Sequence, residues 1–317
     1  MLKQRLLRAA ALIAVAGPAA AHRPWLVPSA TTFSGTDDWV TVDAAVSNDL
    51  FYPDHFPMST DGIKVWAPDG STGQIENAAK GRYRSTFDVH LDKPGTWKIG
   101  TEDVNVGGTF KVNGEDWAVG RRRGPPPGAS AGAGAGAGRE RPAGAAMPPR
   151  AQAAGGAEGP GGPGGRIPPA HSVATLAEIP AGATDLKLTE TISRNAIFVT
   201  AGAPTQAVFK PSNKGLEMVP VTHPDELVSN EPARFRFLID GKPAGALKVT
   251  VVPGGKRYRD SEGAQDLTTG ADGVLTIRWP FAGMYWLNVT ASDNHPSSPR
   301  ATQRRMSYTS TLEVLAP

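Results

Sequence analysis

Residues 120–170 set the first limit on what this chain can fold into. They hold no aromatic side chain, and Ile167 is their one large aliphatic residue. Ala131 to Gly138 alternates alanine with glycine, and Pro125–Pro127 and Gly155–Gly165 extend the bias. Such a stretch cannot bury enough apolar surface to offset the entropy of its own ordering. Residues 119–172 are therefore expected to form a long disordered Gly/Ala/Pro-rich insertion, and any core must come from the blocks on either side. The run Arg121-Arg122-Arg123 is read as the solvated start of that tether, or as a contact for an anionic surface.

Both flanking blocks carry the period of β-structure. From Tyr83 to Leu91, Tyr83, Ser85, Phe87, Val89 and Leu91 fall on one face; Arg84, Thr86, Asp88 and His90 fall on the other. Trp39–Ala45, Ile63–Ala67 and Trp97–Ile99 read as further strands, with turn chemistry at Pro68-Asp69-Gly70 and Lys93-Pro94-Gly95. After the insertion, Ala196–Thr200, Ala233–Ile239, Leu247–Val252, Val274–Trp279, Met284–Val289 and Ser307–Leu315 continue the pattern. Asp240-Gly241 supplies a turn after the second of these. Outside the first residues, no apolar 3.6-residue period persists for three turns. A strand, a glycine turn and an aromatic-led strand recur at Tyr83–Ile99 and at Val274–Leu287, the hairpin rhythm of sandwich domains. The expected class is all-β: one sandwich over 22–118, which 183–210 can return to complete, and a second over 214–317.

Residues 1–21 read as a secretory signal peptide. Lys3, Arg5 and Arg8 precede a short apolar stretch from Ala9 to Gly17, and Ala19-Ala20-Ala21 offers a cleavage site. Cleavage after Ala21 leaves His22 as the first mature residue. No later stretch approaches the ~20 apolar residues that a spanning helix needs, so a periplasmic or secreted protein without a membrane span is expected. The formal charge of +3 disappears with the three basic residues of the leader. The insertion keeps seven arginines against two glutamates, which leaves the rest of the mature chain acidic and argues against nucleic acid as a partner. Cysteine is absent. That excludes disulfides, thiolate metal sites and cysteine nucleophiles.

Certain residues also resemble a known family. The mature start His22-Arg23-Pro24-Trp25-Leu26-Val27-Pro28-Ser29 is similar to the opening of the domain-of-unknown-function 4198 family. The likeness continues through Gly215-Leu216-Glu217-Met218-Val219-Pro220, His223-Pro224, Ile239–Ala244, Thr268–Gly273, Trp279 and Gly283-Met284-Tyr285-Trp286. It covers both blocks and skips the insertion. It implies an immunoglobulin-like or prealbumin-like sandwich in the C-terminal part. Some members are assigned to periplasmic components of cobalt or nickel uptake, which implies a membrane transporter or another envelope protein as partner.

The residue with the most chemistry is His22. At a mature N-terminus it offers an α-amine and an imidazole, two nitrogens on one residue that can chelate nickel, cobalt or copper. The amine must lose its proton to bind. A second imidazole would complete a three-nitrogen site. His90 is one candidate, on the polar face of its strand near Asp88, and His55, beside Asp54, is another. Against this stands the plain reading, in which a strand histidine faces water. His223 reads first as part of a turn, and His171 and His295 as exposed. Asp43, Asp49 and Asp54 lack the spacing of a calcium loop. The seven tryptophans are read mainly as core or cross-strand packing.

No nucleophile elbow, phosphate loop or zinc-protease helix is present, so no enzyme activity is expected. Two alternatives stay open. One is a copper-dependent enzyme with an N-terminal histidine brace, which resembles lytic polysaccharide monooxygenases in His22 alone. The other is a metal-free structural or adhesion-like module.

Overall fold

In a computed structural model, His22–Gly120 and His171–Pro317 are described. The expected signal peptide and residues 121–170 of the expected insertion lie outside them. Among the described residues the regular elements are strands, with three short 3-10 turns at Leu176–Glu178, Ala207–Phe209 and Lys256–Tyr258. The all-β expectation holds.

Three sheets are built around one long strand, Thr184–Ala201. It pairs antiparallel with Gly95–Val112 and parallel with Gln303–Val314, and the same sheet runs on through Gly283–Asp293 and Lys248–Pro253. Side chains alternate across a strand, and here both faces are apolar. Ile197, Val199 and Ala201 join a core with Leu26, Val40, Val42, Phe87, Val89 and Leu91. Ala196 and Phe198 join another with Phe235, Phe237, Leu275, Ile277, Tyr285 and Leu287. One face therefore carries the sheet of Arg23–Pro28, Asp38–Ser47, Ser85–Leu91 and Glu76–Lys80. The other carries the sheet of Leu216–Pro220, Pro232–Ile239 and Val274–Arg278. Two sandwiches are present in the sense of two cores, and they share their middle layer.

The local chemistry explains the elements. Ser85, Phe87, Val89 and Leu91 are buried and Thr86, Asp88 and His90 are not, as the alternation requires. The hairpin after Pro232–Ile239 turns on Asp240 and Gly241, at φ 51° and 76°, the paired left-handed conformations of a type I′ turn. Arg304 anchors that turn from the middle sheet, with its guanidinium 2.7 Å from Asp240 and 2.6 Å from Asp293. At Gly100 the long strand approaches so closely that a Cβ would collide with the Asn195 carbonyl, so glycine is required there. Residues 119, 171 and 172 of the expected insertion lie in strands. Val119 closes the strand Glu115–Val119, and His171–Val173 pairs parallel with it.

A shared middle layer has a measurable consequence. Phe198→Ala should cost about 3–5 kcal/mol and Ile197→Ala about 2–5 kcal/mol. Urea unfolding followed by tryptophan fluorescence and by circular dichroism should show either change lowering one common midpoint. A transition that splits in two, with only one core affected, would contradict the sharing.

Candidate functional site

The first described residue precedes a strand that is firmly held. In Arg23–Pro28, Arg23 opposes Ser47, Pro24 opposes Val46 and Trp25 opposes Ala45. The Trp25 indole is buried and donates to Ser47 Oγ at 2.6 Å. The Trp286 indole donates to the Pro24 carbonyl at 3.1 Å. Arg23 pairs with Glu262 at 2.7 Å and lies 5.6 Å over the Trp286 ring. His22 is thus the exposed residue just before a clamped edge, and its position follows from its neighbours.

His55 arrives from the other side of the same strand. The loop after Ser47 is closed by the Asp54 carboxylate, which accepts from the backbone N–H of Asn48 at 2.9 Å and of Asp49 at 3.4 Å. Phe56–Pro57 then pairs with Val46 and Ala45, the residues that Pro24 and Trp25 oppose on the opposite flank. His22 and His55 therefore precede two strands that flank one residue, Val46. Their rings stack with centroids 3.7 Å apart at 22°, and Phe56 lies 4.6 Å from His55. Nearby, the Arg257 guanidinium covers Tyr52 at 3.5 Å and Lys256 lies 3.3 Å from Asp49.

Of the three candidate ligands, the structure brings together His22 and His55 and leaves out His90. His90 opposes Trp39, whereas Arg23 opposes Ser47, eight residues along the same strand. At a rise of about 3.3 Å per residue that separation is about 26 Å. His90 has its own partners: its Nε2 is 2.6 Å from Asp37 Oδ1, and its ring stacks on Trp39 at 4.5 Å. A polar-face position in a strand fixes which side a residue points to, but not which end of the sheet it occupies. Asp43 faces Arg84 at 3.0 Å, and Asp54 serves the loop closure. His171 stacks on Trp117 at 4.8 Å and His295 is exposed. His223 is buried in a network of its own.

Stacked imidazoles present their nitrogens side by side, so ligation of one ion by both needs a ring to turn until the nitrogens converge at bonds of about 2 Å. Among the described residues no group of three His, Cys, Asp or Glu side chains is arranged to hold a metal ion. A three-ligand site at this edge would therefore need a donor that is not one of these side chains.

In the sequence Asp54 stands only as a neighbour of His55 without calcium-loop spacing; its role in closing the loop depends on a backbone that folds back, which no spacing shows. Asp54→Ala should separate the rings. Proton NMR should then show the mutual ring-current shifts of His22 and His55 collapsing toward unstacked values. Unchanged shifts would mean that the loop is held by something else.

The comparisons with known proteins are spare. No curated protein matches the chain. Among solved structures it is similar to the D0-D1 domain of Intimin, at 9% identity and a TM-score of 0.18, over 91% of this chain and 97% of that one. The family described as Domain of unknown function (DUF4198) matches residues 19–293, a span that includes the His22–His55 edge and the strands of both cores except the last, Gln303–Val314. By that match over most of its length, the chain belongs to the DUF4198 family.

Proposed function

We propose that this is an exported binding protein of the cell envelope that takes up a transition-metal ion, nickel or cobalt, at its mature N-terminus. The observation that carries this reading is the contact of His22 and His55, with ring centroids 3.7 Å apart, at the residue that follows the expected cleavage point. Cleavage after Ala21 would free the His22 amine. The amine and the His22 imidazole would chelate, and His55 would turn to supply the third nitrogen. The ion is cargo in this reading, and no reaction is assigned to the protein. A periplasmic location and a membrane transporter or other envelope protein as recipient belong to the same proposal. Its support is the secretory form of residues 1–21 and a stacked histidine pair, His22 exposed and His55 half-buried, on a rigid edge.

Titration calorimetry with mature protein beginning at His22 tests it directly, using Ni(II), Co(II) and Cu(II). One site is expected, weakened at least tenfold by His55→Ala and also by a single alanine placed ahead of His22. Affinity should rise with pH through about 7.7–8, where an α-amine loses its proton. Equal binding by all three proteins would remove the proposal.

A further inference from the structure

A buried polar cluster lies on the face of the middle sheet that carries Phe198, where the His223 ring meets Phe209 at 5.3 Å, and the proposed metal site does not use it. Thr96, Thr200, His223 and Asp225 are all buried, with His223 4% and Asp225 7% exposed. They come from the strand Gly95–Val112, the long strand Thr184–Ala201 and the loop that follows Leu216–Pro220. The loop is tied to the end of the chain: Ser229 N–H donates to the Leu315 carbonyl at 2.9 Å, and Leu315 N–H to the Leu227 carbonyl at 2.8 Å.

The hydrogen bonds fix the protons. The backbone N–H of Asp225 donates to His223 Nδ1 at 3.1 Å, so Nδ1 bears no proton and the ring hydrogen sits on Nε2. Nε2 then donates to Thr96 Oγ1 at 3.0 Å. Thr96 Oγ1 also accepts the Thr205 N–H at 2.9 Å, so its own proton goes to Thr200 Oγ1 at 3.0 Å. Thr200 in turn donates to Asp225 Oδ2 at 2.5 Å. Every member is satisfied only if the imidazole is neutral. A second ring proton would point at the Asp225 N–H. The charged groups facing Asp225 are Glu226, on its own loop, and Glu313, on the last strand, which accepts from Thr31 at 2.6 Å. Glu226 also faces His223. A buried carboxylate among carboxylates is poorly stabilised.

We infer that His223 and Asp225 form an inverted acid–base pair, in which the carboxyl keeps a proton and the imidazole does not, and that this pair keeps the joint between the loop 221–229 and the middle sheet closed from mildly acidic to neutral pH. Burial and the like charges push the Asp225 carboxyl up to about 7, and desolvation pushes the His223 imidazole down. The two act with opposite sign. Asp225 stabilises the closed joint fully below the carboxyl's unfolded value of about 4, and that stabilisation fades as pH rises toward 7. His223 stabilises it above about 6.5, the free imidazole value, and that stabilisation fades as pH falls below it. Opening the joint in mild acid releases a proton from Asp225 and takes one up on His223. The balance nearly cancels, so the joint is indifferent to pH across this range.

Hydrogen exchange of residues 221–229 in the full chain separates the two halves. In Asp225→Asn, which keeps the acceptor for Thr200, protection should fall as pH drops below 6.5, by up to tenfold per unit. In His223→Gln it should fall as pH rises toward 7, again by up to tenfold per unit. The parent protein should change less than either. Slopes of the same sign in the two variants, or variants that follow the parent, would overturn the inference. A direct reading needs no variant: the Asp225 carboxyl carbon, followed by NMR in the parent protein, should titrate near pH 7, and a midpoint near 4 would equally overturn it.

Discussion

The architecture depends on a single strand with two apolar faces. In Thr184–Ala201, consecutive side chains at 196–199 enter alternate cores, with Ala196 and Phe198 on one side and Ile197 and Val199 on the other. A strand in an ordinary two-layer sandwich has a solvated face and cannot tolerate this. Here the second face must be covered, and the chain covers it twice over, with one sheet made before the insertion and one made after. At about 25 cal/mol per Å² of apolar surface removed from water, neither face could be left exposed without a large loss. The strand therefore dictates that both blocks pack on it, whatever the length of the segment that separates them in sequence.

The same constraint places the edge where His22 sits. The outer sheet must lie on the Ile197–Ala201 face, so its first strand runs above the middle sheet and begins beside Trp286 and Glu262. Trp25, Ala45, Leu50, Val252 and Trp286 form a small core that joins the two sheets there. Side chains on a rigid edge are held far more closely than on a free terminus. Trimming at Ala21 would expose an amine on a fixed platform, with the second ring already in contact. The proposed chelate therefore draws on His22 and His55 and not on His90.

Much of the fold was legible, for reasons that can be named. Ser85–Leu91 alternates because one face is buried and the other is wet, and the structure reproduces it residue by residue. The Asp240-Gly241 turn was legible because its backbone conformation admits few other residues. The long strands were legible only where both ends of their pattern were apolar. Gly95–Val112 looked like a short strand at Trp97–Ile99, because its continuation through Glu102, Asp103 and Asn105 is polar on faces that no core covers. Arg23–Pro28 gave no strand signal, since prolines at 24 and 28 suit only an edge, and an edge strand is what it is. The site was legible by residue type and not by place. His55 meets His22 through pairing on both flanks of Val46, and His90 fails to meet it through the length of Asp38–Ser47. Neither fact has a signature within a few residues of the histidine concerned.

His223 shows the limit from the other direction. In sequence, His223-Pro224-Asp225-Glu226 has the composition of an exposed turn, and the local prediction is correct in that the backbone does turn, with Glu226 N–H donating to the His223 carbonyl at 3.1 Å. What local composition cannot supply is the lid formed over it. Thr96 and Thr200 come from strands 127 and 23 residues earlier, and Glu313 from the last strand. Two threonines in strand interiors look like ordinary β-formers. Here their hydroxyls replace water as the partners of a histidine and an aspartate. A buried polar network costs free energy unless each donor finds an acceptor, and this one achieves it with a neutral ring and a directed chain of hydroxyls. The neutral ring is thus a requirement of the packing, imposed by the Asp225 N–H and the Thr96 hydroxyl that hold it, whereas burial and the neighbouring carboxylates push the Asp225 carboxyl up against the opposing pull of the Thr200 bond.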